Sequence, residues 1–389
     1  MFRITSYLFL IFAVFLLIPG CYSKKIFNLH DLPVPNGPYT VGTIQFDWIN
    51  KNYDNLFEDN LNEKRRIMVQ FWYPAIFDET QERYLYSNDS IVTEALSKEY
   101  KIPLSLLKKT KKIKTNSYYD VEPAASNENY PLIIFSHGKG GYKSQNSVQC
   151  EELASNGYVV VSVDHSYDAL ITVFSDGTIA PYVSDNPKKV GGQIEADKIT
   201  NKKLSSRVSD VRFILDNIWN AKNYHPIFSL IDTSKVGMFG HSFGVATTVL
   251  SAQTDHRIKS IAGLDGWFEP ISAEQLDLGL KVPFLHLGRK KWRFNPKNYD
   301  NMERLSNNSA DSISHFPIKR LQHFDFMDGS QLASTSIKFV VAYLSSYNKE
   351  KIKNLLNDML LTYFDHELKQ KSVTTLDEVS KRFRIISDK

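Results

Sequence analysis

Cysteine is nearly absent from this chain: its 389 residues include only Cys21 and Cys150. Two cysteines exclude a disulfide scaffold and any zinc or iron–sulfur site that is held by thiolates alone. A surplus of one charge is lacking as well, because 47 basic and 43 acidic residues leave a net charge of +4. No basic field therefore favours nucleic acid as a partner. Apolar residues make up 42% of the chain, which is enough for a large globular core and too much for a disordered protein.

The amino terminus departs from this globular composition. Residues 4–18 form an apolar run that is shorter than the roughly 20 residues of a membrane-spanning helix. A signal peptide over residues 1–20 fits this length better. The following Ile-Pro-Gly-Cys segment resembles a bacterial lipoprotein lipobox, which implies lipid attachment at Cys21 and anchoring to a membrane of the cell envelope; the alternative is a secreted or periplasmic chain. Palmitate labelling that survives Cys21→Ser would contradict the anchor.

The rest of the chain alternates between predicted strands and helices. Residues 38–48 and 66–75 predict strands that open a sheet, and a polar insertion follows at about residues 76–130. Short apolar runs predict further strands at residues 131–138, 158–165, 235–240, 258–265, 282–288 and 315–322. Helical spacing occurs at residues 144–157, 205–220, 331–346 and 349–370. Because these later strands are apolar throughout, the pattern is typical of an α/β fold with a mostly parallel sheet covered by helices on both faces.

The sharpest local motif is Gly240-His241-Ser242-Phe243-Gly244, which follows a predicted strand and opens a predicted helix. This is the context of a nucleophile elbow, in which a serine sits on a strained strand-to-helix turn. Side chains larger than hydrogen would clash two residues before and after the serine, which explains Gly240 and Gly244. The alternative is a glycine-rich turn without chemistry.

A serine needs a base to act as a nucleophile at neutral pH. His323 follows the last predicted strand, so it should project from the same carboxyl edge of the sheet as Ser242, where α/β sheets bind ligands. The competing histidines are less well placed. His286 lies inside an apolar strand, His315 precedes the last strand, and His366 falls in the terminal helical pattern.

The base needs an acid that orients it, and in elbow hydrolases the acid lies between serine and histidine in the chain. Asp265 directly ends the strand after the elbow helix, and it is our predicted acid. Asp277 and Asp300 lie in polar connecting segments and are weaker candidates. The alternative role for Asp265 is that of a turn or helix cap.

An oxyanion hole requires two backbone N–H donors. The first is predicted at Phe243, directly after the serine, and the second at Lys139, in the glycine-rich loop at residues 137–141. This loop lacks the spacing of a phosphate-binding loop, and no dinucleotide-binding glycine motif opens a helix elsewhere, so no cofactor is predicted. The composition likewise predicts no metal.

Several motifs in one order resemble the platelet-activating factor acetylhydrolase family of α/β hydrolases. The similarity runs from GPYTVGTIQFDW and MVQFWYPA through YPLIIFSHGKGGY and SKVGMFGHSFGVAT to GLDGWFEP and HFDFMD. It covers roughly residues 32–345. The resemblance implies the same three residues, Ser242, Asp265 and His323, and it implies Lys139 as the loop donor, at a position that is often apolar in the family.

The resemblance also implies a calcium-independent serine esterase that removes short acyl chains, such as the sn-2 acetyl group of a phospholipid. Trp267 and Phe268 follow the acid and are candidates for the acyl pocket or for core packing. The alternatives are a general carboxylesterase or polyester hydrolase without lipid preference, and a catalytically silent binding lipoprotein. The predicted domain organisation is one hydrolase domain over residues 21–370, followed by a tail at residues 371–389.

The insertion contains a lysine-rich, leucine-containing stretch at residues 98–114. Such a stretch is a candidate contact with an anionic membrane. The alternative is a solvated insertion.

Overall fold

The structure, a computed structural model, describes most of the chain. The described residues are 30–57, 63–87, 89–100, 104–126, 128–220, 224–292, 295–311, 313–332, 348–371 and 374–383. The predicted signal peptide at residues 1–20 and the predicted lipid attachment at Cys21 lie outside them. So do most of the helix predicted at residues 331–346 and the end of the predicted tail.

Twelve strands occur in the described residues. In chain order they are β1 (Thr40–Asp54), β2 (Lys64–Ala75), β3 (Arg83–Leu85), β4 (Lys114–Tyr119), β5 (Tyr130–Ser136), β6 (Val159–Asp164), β7 (Ile171–Val173), β8 (Ile179–Pro181), β9 (Ile231–His241), β10 (Ile258–Leu264), β11 (Phe284–Arg289) and β12 (Ser314–Ile318). Ten of them form one sheet in the order β12-β11-β10-β9-β5-β6-β2-β1-β4-β3, and β7 pairs with β8.

Six longer helices occur in the described residues. They are α1 (Ser90–Tyr100), α2 (Ser147–Ser155), α3 (Gln193–Asn220), α4 (Phe243–Thr254), α5 (Lys297–Asn307) and α6 (Lys349–Phe364). Short helical segments lie at Leu104–Leu107, Lys108–Lys112, Pro187–Val190, Pro226–Ser229, Ala273–Asp277, His323–Phe326, Gly329–Leu332, Asp365–Lys369 and Leu376–Lys381. Among the described residues, no helix combines the length and the apolar character that crossing a membrane requires.

Six neighbouring strands of this sheet, β12, β11, β10, β9, β5 and β6, are parallel to one another. β2 pairs with β6 in the antiparallel direction. Side chains of a strand alternate between its two faces. In β5, Leu132 and Ile134 belong to one core cluster together with residues of α3 and α4, while Ile133 and Phe135 belong to a second cluster together with residues of α2 and α6. Helices therefore cover both faces, and the predicted mostly parallel α/β architecture is confirmed.

The insertion at residues 76–130 adds two strands to the sheet, which the sequence did not indicate. β3 and β4 extend the sheet beyond β1, with β4 parallel to β1 and β3 antiparallel to β4. The lysine-rich stretch comprises the end of α1 and the two short helical segments that follow it. Its Glu99 also lines the pocket described below.

Cys150 lies on α2 and is a fully buried free thiol. Burial raises the pKa of this thiol well above its usual value. A protonated, inaccessible thiol is unreactive, so its role is packing.

Candidate active site

The elbow forms where β9 meets α4, and its serine has strained backbone angles. Ser242 has φ 55° and ψ −116°, in a region that L-residues rarely occupy. A Cβ on Gly240 would lie 2.3 Å from the backbone of Gly244, and a Cβ on Gly244 would lie 2.0 Å from the Ser136 carbonyl oxygen. Glycine is therefore required at both flanking positions for the turn to close against β5.

The three residues predicted for the nucleophile, base and acid lie in one hydrogen-bonded row. The Ser242 hydroxyl lies 2.9 Å from Nε2 of His323. Nδ1 of His323 lies 2.5 Å from Oδ2 of Asp265. All three side chains follow the carboxyl ends of parallel strands, namely β9, β10 and β12. This arrangement allows proton transfer from the serine to a histidine whose ring is oriented by the carboxylate.

Two further groups, which the sequence did not single out, hold the Asp265 carboxylate. Arg289 donates to it from its backbone N–H at 2.9 Å and from Nε at 2.6 Å, and Trp292 Nε1 donates at 3.1 Å. Burial by itself would raise the pKa of Asp265, but the hydrogen bond from His323 and the charge of Arg289 hold this pKa below its usual range. Asp265 is therefore ionised and able to stabilise a protonated His323.

His241, the variable residue of the motif, supports the base from the other side. Its Nδ1 accepts a hydrogen bond from the Gln145 side-chain amide at 2.8 Å, which leaves Nε2 as the donor toward the His323 carbonyl at 3.3 Å. The two imidazole rings lie 4.6 Å apart. Burial first, and then the neighbouring His323, lower the pKa of His241 to about 3. A neutral His241 thus fixes the backbone of His323 without adding charge.

The two predicted oxyanion donors flank Ser242. Phe243 is the first residue of α4. At this end of a helix the N–H groups have no acceptor within the helix, and the helix dipole gives a partial positive charge. Lys139 lies in the loop after β5 and lines the same pocket as Ser242. Its ammonium group lies 2.7 Å from Asp185 and 5.2 Å from the centre of the Trp267 ring. The donor roles of both backbone N–H groups stay predictions.

A pocket of about 390 Å³ opens over Ser242. Trp267 lines it, as predicted, beside Tyr182 and Trp292. For Phe268 the structure supports the core-packing alternative, because this side chain is fully buried and packs against Phe284 and His286. Trp267 and Phe268 therefore lie in different surroundings although they are adjacent, which the sequence did not reveal.

The histidines that we set aside lie away from Ser242. His286 and His315 face each other across β11 and β12, with their Nδ1 atoms 2.9 Å apart. His366 is exposed in the segment that follows α6. Of the weaker acid candidates, Asp277 pairs with Arg304 at the surface, and Asp300 lies in the first turn of α5.

Sequence reasoning missed Arg289 and Trp292, which hold the Asp265 carboxylate, and Arg207, which donates to the His137 carbonyl in the loop after β5. Arg289 is the last residue of β11, and Trp292 follows this strand. The carboxyl end of the strand is the edge at which the other site residues were sought, so this position was the available signal. Arg207 lies inside α3, where an arginine in an amphipathic helix indicates an exposed face. No pattern in the sequence distinguished it.

Comparison with known proteins identifies a family and relatives for this chain. The family model for platelet-activating factor acetylhydrolase, isoform II, matches residues 25–374. Two relatives are platelet-activating factor acetylhydrolases, from Gallus gallus (25% identical over 53% of this chain and 56% of the relative) and from Cavia porcellus (26% identical over 65% of this chain and 58% of the relative). The matches thus span less than two thirds of these relatives' lengths.

A solved structure shares the fold. The ferulic acid esterase from Streptomyces cinnamoneus superimposes with a TM-score of 0.76, at 22% identity, over 92% of this chain and 99% of that one. At this identity the likeness establishes the α/β-hydrolase fold alone. The family model, in contrast, matches most of the chain in sequence. The chain therefore belongs to the platelet-activating factor acetylhydrolase, isoform II, family.

Proposed function

We propose that this protein is a serine esterase that hydrolyses carboxylic esters through an acyl-enzyme. The observation that carries the proposal is the row of hydrogen bonds from the Ser242 hydroxyl through His323 to Asp265, at 2.9 and 2.5 Å. Nucleophile, base and orienting acid are in reach of one another before any substrate binds. Family membership adds independent support, since the named relatives are acetylhydrolases.

The first half of the proposed reaction forms the acyl-enzyme. His323 Nε2 takes the hydroxyl proton as Ser242 Oγ attacks the ester carbonyl carbon, and the carbonyl oxygen becomes an oxyanion. The N–H groups of Phe243 and Lys139 stabilise this charge. The tetrahedral intermediate then collapses, the bond to the alcohol oxygen breaks, and His323 gives its proton to the departing alcohol.

The second half regenerates the serine by the same chemistry. Water loses a proton to His323 and attacks the acyl carbon, which forms a second tetrahedral intermediate. As this intermediate collapses, the bond between the acyl carbon and Ser242 Oγ breaks, His323 returns its proton to Oγ, and the carboxylic acid is released. Throughout, the ionised Asp265 stabilises the protonated imidazole, and Arg289 and Trp292 keep its carboxylate in place.

We propose a short sn-2 acyl group of a glycerophospholipid as the substrate. A pocket of about 390 Å³ is near the lower end of the roughly 300–1,000 Å³ of ligand sites, which favours a short acyl chain. The names of the relatives support an acetyl group.

The first test is hydrolysis of p-nitrophenyl acetate and of phospholipids with graded sn-2 chains. Ser242→Ala should abolish turnover, whereas Ser251→Ala, a buried serine on the same helix, should retain it. Hydrolysis should fall as the sn-2 chain lengthens. Equal rates on simple esters and phospholipids would favour a general esterase, and an unlabelled Ser242 after fluorophosphonate treatment would favour a silent binding protein.

A further inference from the structure

Arg207 is a fully buried arginine of α3 that lies against the loop after β5. Its Nη1 donates to the His137 carbonyl at 2.6 Å, and its Nη2 lies 3.3 Å from the Gly138 carbonyl. Its Nε donates to Asp168 at 2.5 Å. The guanidinium therefore joins a buried carboxylate to the backbone of the loop that carries Lys139.

The Gly138 carbonyl is one end of the peptide group whose other end is the Lys139 N–H. This carbonyl receives three donors: Arg207 at 3.3 Å, the Gly141 N–H at 2.9 Å and Nδ1 of His137 at 2.6 Å. In a trans peptide the C=O and N–H bonds point in opposite directions. Holding the carbonyl toward the protein interior thus turns the Lys139 N–H toward the pocket.

The protonation state of His137 fits this role. Its Nε2 accepts the His165 N–H at 3.3 Å, so the ring proton lies on Nδ1 and is donated to the Gly138 carbonyl. Burial first, and then the positive charge of Arg207, lower the pKa of His137 well below its usual value. The His137 ring is neutral at pH 7. Of the two side chains, His137 and Arg207, only Arg207 therefore brings a positive charge to the Gly138 carbonyl.

Arg207 also contacts Phe243, the other predicted donor. Its guanidinium carbon lies 4.7 Å from the centre of the Phe243 ring, in the geometry of a cation–π contact. Asp168 completes the arrangement, because its backbone carbonyl accepts the Gly140 N–H at 3.1 Å while its carboxylate binds Arg207. One ion pair therefore contacts the residues on both sides of the space above Ser242.

We propose that Arg207 is a positioning residue of the oxyanion hole, which fixes the Gly138–Lys139 peptide and packs against Phe243 so that both backbone donors face the same point. This inference rests on the proposed esterase activity. Lysine cannot replace arginine here, because an ammonium is a single point charge and cannot bind Asp168 and two carbonyls in one plane.

The test compares Arg207→Gln and Arg207→Lys with wild type in kcat, KM, thermal midpoint and affinity for a trifluoromethyl ketone analogue of an acetyl ester. Removal of an oxyanion donor lowers kcat roughly 100- to 1,000-fold, so a misdirected donor should cost about 10- to 100-fold. KM should change little, and the analogue, which places an oxyanion in the hole, should bind weaker by a similar factor. Arg207→Lys should recover the thermal midpoint more than kcat.

Arg65 provides the matched control. It is equally buried and makes a bidentate pair with Asp210 at 2.9 and 2.7 Å, but its remaining hydrogen bond goes to the Ser166 carbonyl and not to the loop. Arg65→Gln should lower the thermal midpoint and leave kcat within about threefold, below the roughly tenfold loss of a misplaced oxyanion donor.

Two results would overturn the inference: a kcat of Arg207→Gln that falls no further than that of Arg65→Gln, or an unchanged affinity for the analogue. If Arg207→Gln does not fold, Arg207→Lys decides, because wild-type kcat in that variant contradicts a positioning role. Failure of the esterase proposal would look different, since wild type itself would then neither turn over ester nor react with fluorophosphonate at Ser242.

Discussion

Trp292 contacts both members of the hydrogen-bonded pair Asp265 and His323. Its Nε1 donates to Asp265 Oδ1 at 3.1 Å, and its indole ring meets the His323 imidazole edge-on, with ring centres 5.3 Å apart. Arg289 stacks on the same indole at 4.7 Å. The indole therefore restricts the Asp265 carboxylate, the His323 ring and the Arg289 guanidinium together.

Trp292→Phe keeps a ring beside His323 but removes the hydrogen bond to Asp265. A hydrogen bond to a charged group contributes about 1.5–3 kcal/mol. We therefore expect kcat to fall roughly 10-fold or more, since about 1.4 kcal/mol corresponds to a factor of ten, with KM nearly unchanged. Steady-state kinetics on p-nitrophenyl acetate measures this. Trp219→Phe, which alters a tryptophan packed on the core, is the control, and wild-type kcat in Trp292→Phe would contradict a role in orienting the acid.

At the scale of residues, the sequence was sufficient to predict the location of side chains that follow the end of a strand. Ser242, Asp265 and His323 each follow a strand end, and chain order narrowed the choice among histidines. Phe268 could not be assigned, because the direction of a side chain after a strand depends on local backbone angles. Arg207 could not be found, because its partner Asp168 is 39 residues away in the chain.

At the scale of elements, the strand β5 and the elbow constrain each other. Gly244 packs so closely on β5 that a Cβ would lie 2.0 Å from the Ser136 carbonyl oxygen and 2.9 Å from that of His137. Both atoms are backbone and cannot move without shifting the strand or the oxyanion loop. The backbone of β5 and of His137 therefore fixes the position of the elbow, and this packing maintains the strained backbone angles of Ser242.

Gly244→Ala should separate α4 from β5 and lower both stability and activity. Overpacking of this kind costs about 1–3 kcal/mol, so the thermal midpoint should fall measurably. Gly329→Ala is the matched control, because a Cβ at Gly329 would have nothing within 4 Å. A Gly244→Ala variant with the wild-type midpoint and kcat would show that the elbow can move away from the strand without loss.

Strands and helices with an apolar face could be predicted from the sequence, whereas polar strands and polar helical turns could not. β4 carries buried Thr115 and Ser117, and the Ser117 hydroxyl donates to Glu151 of α2 at 2.5 Å. Because Glu151 is distant in the chain, the sequence around Ser117 did not show that its hydroxyl would be satisfied in a strand, and this polar segment was interpreted as irregular. α3 begins at Gln193, ahead of the predicted start at residue 205, because its first turns lack an apolar face.

At the scale of the whole molecule, the fold buries several neutral histidines. Burial is the largest cause that lowers the pKa of His165 to about 4 and of His241 to about 3, and it also lowers those of His137 and His286 well below the usual value. An unfolded histidine has a pKa of about 6.5. At a pH between the lowered pKa values of the folded state and the unfolded value, the unfolded chain binds more protons than the folded protein does.

The contribution of these histidines to stability should therefore be fully present above pH 6.5, and it should decline as the pH falls from about 6.5 toward 4. Each buried histidine should lower the free energy of unfolding by about 1 kcal/mol between pH 7 and 5.5, because the change of this free energy with pH approaches 1.4 kcal/mol per pH unit for each proton. Thermal midpoints measured from pH 8 to 4.5 test this. His286→Gln should flatten the decline, whereas His366→Gln, at an exposed site, should leave it unchanged. A midpoint that stays constant down to pH 4.5 would mean that the buried rings accept protons inside the fold.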